Sequence, residues 1–97
     1  MNDLTQQDVV KLSELVTKIR NQNTHSSELE QFFNLIKKSG DYNQNQLMGY
    51  LTQVGFNSEN DFIKHLNERR KDELLQGLVL IGTAILAFYV IAQLSKK

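Results

Sequence analysis

The sequence predicts an all-α protein: a small cytoplasmic helical domain of three to four helices whose last helix continues into a single C-terminal transmembrane helix. Three observations carry this expectation. Through residues 1–73 apolar side chains recur at three- and four-residue spacing, with capping residues between the stripes. No Pro occurs anywhere in the 97 residues to break a helix. Leu74 to Leu94 is a run of twenty-one residues without a charge, followed by Ser95, Lys96 and Lys97. The expected organisation is residues 1–73 as a soluble helical domain, 74–94 as a transmembrane helix and 95–97 as a short basic tail.

The first helix is expected to start at Thr5, whose hydroxyl satisfies an orphan backbone N–H, with Asp8 three residues on to meet the positive helix end. Val9, Leu12, Val16 and Ile19 form its stripe, and the polar run Asn21 to Ser27 ends it. Ser27 and Glu30 suggest a capping box for the second helix, with Leu29, Phe32, Phe33 and Ile36 inward, Lys37 and Lys38 at the negative end and Gly40 as the stop. Asn43 or Asn45 is expected to cap a third helix with Leu47, Tyr50, Leu51 and Val54 inward, stopped by Gly55 and the apolar Phe56. Ser58 and Asp61 cap a fourth, with Phe62, Ile63 and Leu66 inward. No stop signal follows, since the remaining glycines, Gly77 and Gly82, lie in apolar surroundings that a membrane helix tolerates. One long helix is therefore expected to leave the domain, with Leu66 to Lys71 helical and the domain held close to the membrane. Residues 1–73 are expected to fold alone, because their caps and stripes are complete without the tail.

A span needs about twenty apolar residues, at about 1.5 Å rise each, to cross roughly 30 Å of hydrocarbon. Leu74 to Leu94 has that length. Its six Leu, three Ile, two Val and one Phe each favour mid-membrane insertion by about 0.3–0.6 kcal/mol. The competing reading, a buried core helix, requires wrapping on every side, and the narrow stripes of the other helices do not supply it. Lys64, Arg69, Arg70 and Lys71 before the run outnumber Lys96 and Lys97 after it, which places the domain in the cytoplasm by the positive-inside rule. The layout resembles that of a tail-anchored protein inserted after synthesis. The same four basic residues form a candidate headgroup-facing cluster, opposed by Asp72 and Glu73.

Composition narrows the function. Eleven Lys and Arg balance eleven Asp and Glu, without the basic excess of a nucleic-acid footprint, so nucleic acid is not an expected partner. The absence of Cys removes disulfides, thiolate catalysis and thiolate metal sites. The amino end has neither the cationic nor the apolar region of a secretory signal. Asp41, Asn43 and Asn45 match early positions of a calcium loop, but Gln46 and Thr52 stand where that loop needs Gly and a bidentate Glu. His65 lies one turn from Asp61 and near Glu68, a spacing common on solvated helix faces. His25 sits in a polar turn, and no nucleophile motif or phosphate loop is present. No catalytic residue, metal ligand or cofactor is expected, and the protein is not expected to be an enzyme.

Within the span, small and polar residues recur at seven-residue spacing. Gln76, Gly77, Leu80, Thr83, Ala84, Ala87 and Ile91 form a candidate packing face on which a second helix approaches closely, while Phe88 and Tyr89 lie off it. The leading functional expectation is a non-enzymatic, membrane-anchored interaction module: an adaptor, scaffold or accessory subunit of a membrane complex. Its partners would be membrane lipid and either another protein or further copies of itself, joined through the transmembrane helix. One alternative is a membrane-active effector that oligomerises into a pore. A second is a soluble helical oligomer that buries the C-terminal helix between subunits.

Overall fold

A computed structural model describes residues 4–66 and 71–95, with side chains of the last helix through Ile91. All its regular elements are helices: α1 (Gln6–Arg20), α2 (Ser26–Lys38), α3 (Asp41–Gln53), α4 (Glu59–His65) and α5 (Lys71–Ser95).

Local cap chemistry sets most of the boundaries. Thr5 Oγ1 accepts from the Asp8 N–H at 3.1 Å, and the Asp8 carboxylate accepts from the Thr5 N–H at 3.0 Å, a reciprocal box that starts α1 as expected. The α2 start differs from the expected Ser27–Glu30 pair. His25 is the N-cap, and Glu28 reaches back to accept its N–H at 3.0 Å, because Glu28 also pairs with Lys18 across the helix hairpin. The third helix likewise begins ahead of Asn43 and Asn45, at Asp41 with Gly40 as N-cap. Asn43 is inside it and donates to Ser39 Oγ at 2.8 Å. The stop at Gly55 is as expected: φ is 95°, and the Phe56 N–H donates to Leu51 O at 2.8 Å while Phe56 is buried. Ser58 caps α4 by accepting from the Asp61 N–H at 3.1 Å.

Two ion pairs clamp α1 and α2 as an antiparallel hairpin, one at each end. Lys18 Nζ lies 2.5 Å from Glu28, and Lys38 Nζ lies 2.5 Å from Asp8. A third, Lys37 to Glu59 at 2.8 Å, ties α2 to α4. Between α2 and α4 an aromatic cluster fills the interior: Phe62 meets Phe56 edge-on at 5.0 Å and Phe33 at 5.8 Å.

The expected helical continuity from Leu66 to Lys71 falls largely on residues 67–70, outside the described residues. What is described of α5 departs from a helix that leaves the domain. Its first half lies back against α1 and α3, and Leu74, Leu75, Leu78, Val79 and Ile85 are buried in the same core as Leu12, Leu15, Val16, Ile19 and Phe32. The core thus crosses the boundary drawn at residue 73. The physical reason is that α1 carries more apolar surface than α2 alone covers, and α5 is the nearest apolar helix.

Two predictions follow from this packing. The five buried α5 side chains stabilise the fold by about 1.5–3 kcal/mol each, together on the order of the 5–15 kcal/mol net stability of an ordinary domain. A chain ending at residue 73 is therefore expected to keep helical circular dichroism from the capped α1–α2 hairpin but to melt at lower temperature and less cooperatively; a melt matching the full chain's would show that α5 is dispensable to the core. The Lys38 and Lys18 ammonium groups hold the Asp8 and Glu28 carboxyls below their ordinary pKa values. Carboxylates with lowered folded-state pKa values contribute stability above the unfolded-state pKa that is lost as pH falls through the folded-state value. Thermal stability is expected to be flat near neutrality and to fall below about pH 4, and Asp8→Asn with Glu28→Gln should flatten that fall.

Candidate membrane anchor

The constellation with functional content is α5 itself, and its two sides differ. At its start Asp72, Glu73 and Gln76 are exposed while Leu74, Leu75, Leu78 and Val79 are buried, the pattern of an amphipathic helix. Further on charged residues cease and, apart from Thr83 and Gln93, the helix is apolar through Leu94.

The inner side is fitted to the domain through two glycines. A Cβ placed on Gly82 would stand 2.6 Å from Val16 Cγ2 and 3.0 Å from Phe32 Cε1, so the absence of a side chain there lets α5 approach α1 and α2 closely. Gly77 meets the ring and hydroxyl of Tyr50 on α3, and a Cβ at that position would overlap them. The Tyr50 hydroxyl passes the glycine and donates to Leu74 O at 2.8 Å. Burial pushes the Tyr50 pKa up, so the hydroxyl stays protonated and remains a donor across the physiological range. A shallow cleft near the end of α1 is lined by Ile19, Arg20 and Gln22 from one side and by Asp72, Leu75, Gln76 and Val79 from the other. Because Val16 lies opposite Gly82, the two helices run antiparallel.

The candidate packing face falls on the outer side, with one exception. Gln76, Leu80, Thr83, Ala84, Ala87 and Ile91 are exposed, whereas Gly77 is half-buried under Tyr50. The seven-residue spacing placed Gly77 with Ala84 and Ile91, but a helix turns 100° per residue, and Gly77 sits at the edge of their stripe, next to α3. Phe88 is exposed and Tyr89 half-buried. Leu80 at 71%, Phe88 at 76% and Ile91 at 61% relative exposure make the outer side and the far end an apolar surface with little cover from the chain.

The basic cluster is seen only in part: Lys64 is exposed on α4 and Lys71 half-buried at the start of α5, while Arg69 and Arg70 lie outside the described residues. His65 Nε2 stands 3.5 Å from Asp61 Oδ1 on α4, as the spacing suggested. Glu68, the third member of that group, lies outside the described residues. Among the described residues no three His, Asp or Glu side chains gather into a metal-holding group. Asp41, Asn43 and Asn45 stand in the continuous helix α3.

Sequence reasoning placed Val16, Phe32 and Tyr50 on inward stripes and Gly82 within the apolar run, but did not bring them together against α5. The signal available for them was the amphipathic start of α5, in which Asp72, Glu73 and Gln76 alternate with paired apolar residues in a way that a plain membrane span does not require.

Comparison with known proteins finds no relative: no family model matches the chain, and neither a curated protein nor a solved structure matches it.

Proposed function

We propose that this chain is a non-enzymatic interaction module anchored in a membrane by α5, acting as an adaptor, scaffold or accessory subunit of a membrane complex, with α1 to α4 on the cytoplasmic side. One observation carries the reading. The segment Lys71–Ile91 is long and apolar enough to cross a bilayer, and only a third of it is buried by the rest of the chain. A helix that served simply as the core of a soluble domain would be enclosed for most of its length, because exposed Leu, Phe and Ile each forgo about 1.5–3 kcal/mol of burial. Here the outer side needs a second apolar environment. Lipid supplies it for the whole circumference beyond the domain, and the basic residues Lys64, Arg69, Arg70 and Lys71 favour the cytoplasmic side for the amino end.

The soluble oligomer is the second reading, favoured by the inner side of α5 being already covered: one helix from another copy would complete the enclosure of the outer side. Separating cells into membrane and soluble fractions and washing the membranes with alkaline carbonate distinguishes the two. The anchored module is expected to stay with the carbonate-washed membranes. Release into the supernatant as a defined oligomer would overturn the anchor and favour the second reading. A further substitution tests association through the outer side. Ala84 is exposed, so Ala84→Ile leaves the domain's own packing untouched while pushing a neighbouring helix away. Crosslinking between copies, or to a partner's span, is expected to fall about tenfold, with carbonate resistance retained. Undiminished crosslinking would leave the small-residue stripe without a role in association.

A further inference from the structure

We propose that the fold holds its own anchor in an autoinhibitory contact: the groove made by α1, α2 and Tyr50 shelters the inner side of α5, and α5 must leave that groove before it can cross a bilayer. This rests on the membrane reading above and adds a conformational step to it.

Geometry imposes the step. While α1 lies along α5, Leu75, Leu78 and Val79 face protein and cannot face lipid. Nor can α1 accompany α5 into hydrocarbon, because Lys11, Glu14, Lys18 and Arg20 are exposed on it and charged groups are strongly disfavoured there. The residues past the buried Ile85, Leu86 to Leu94, rise about 14 Å, less than half of the roughly 30 Å of hydrocarbon. With the groove closed, the far end of α5 can therefore dip into one leaflet but not span two.

The contact is also built to separate. The side chains that α5 withdraws from the groove are apolar and exchange one apolar environment for another when they enter lipid. At Gly77 and Gly82 the helix contributes no side chain to interlock with Tyr50, Val16 or Phe32. The hairpin of α1 and α2 keeps its own fastenings during such a movement, since Lys18–Glu28 and Lys38–Asp8 lie wholly within it. Tyr50 Oη to Leu74 O acts as a latch at the start of the span.

The natural chain has no Cys, so two introduced thiols would be the only ones present. A Cβ at residue 82 would lie directly against Val16 Cγ2, so the side chains of Val16→Cys and Gly82→Cys would meet across the groove and offer a disulfide lock. The probe is the full-length protein added to vesicles of phosphatidylcholine and phosphatidylglycerol, read by its carbonate-resistant fraction. The reduced double variant is expected to insert, and the oxidised form to insert about tenfold less, with reductant restoring insertion. Equal insertion of the oxidised and reduced forms would overturn the autoinhibitory contact and leave the anchor standing. Failure of the unsubstituted protein to insert at all would overturn the anchor and the contact with it. Should the double variant fail to fold by circular dichroism, Tyr50→Phe decides the matter. Loss of the latch should raise insertion about fivefold at limiting lipid, and unchanged or lower insertion would overturn the contact.

Discussion

An apolar helix of 25 residues has to be covered on all sides, and four short amphipathic helices can cover it on one. That mismatch between α5 and the rest of the chain governs the molecule. The groove of α1 and α3 accepts Leu74, Leu75, Leu78, Val79 and Ile85, with Phe32 of α2 against Gly82 and Tyr50 over Gly77. The ion pairs at both ends of the α1–α2 hairpin keep the groove in shape without entering it. What remains is the outer side, with Leu80, Phe88, Val90 and Ile91 exposed.

In the proposed scheme the energetics of the two environments are of the same order. Removing α5 from the groove bares the matching faces of α1 and α3 to water, at a cost on the order of 10 kcal/mol. Transferring Leu80, Phe88, Val90 and Ile91 from water to lipid returns about 1.5–3 kcal/mol for each. Neither term dwarfs the other, so under the proposal the state of α5 would depend on whether lipid is within reach. A partner that covered the vacated faces of α1 and α3 would tip the balance toward the released form, which would couple anchoring to recognition in an adaptor of the proposed kind.

Local chemistry was legible in the sequence and tertiary proximity was not. The helix starts at Thr5 and Ser58 and the stop at Gly55 depend on residues three to five positions apart, and each is found where its spacing put it. The α2 and α3 starts differ: Glu28, which caps at His25, also pairs with Lys18 ten residues earlier, and Asn43 donates to Ser39 from inside its helix rather than capping it. The all-helical architecture and an apolar segment long enough to cross a membrane were both evident from periodicity and composition. The return of α5 onto α1 was not. It depends on Gly82 meeting Val16 and Phe32, residues 66 and 50 positions away, and glycine in an apolar run looks the same whether lipid or a neighbouring helix lies against it. Of the candidate packing face, helical geometry groups six residues that are exposed, while Gly77 lies beneath Tyr50 of α3.

Amide hydrogen exchange of the full chain with and without lipid vesicles addresses the central claim, that the groove and the bilayer compete for the same side of α5. Without vesicles α1 and the first half of α5 are expected to be protected together, because each buries the other. On binding to vesicles α5 should become more protected while the amides of Leu12, Leu15, Val16 and Ile19 exchange faster, as the faces around them are bared. Strong new protection of α5 with no change in α1 would contradict the claim, because it would mean that α5 enters the membrane with the groove still closed.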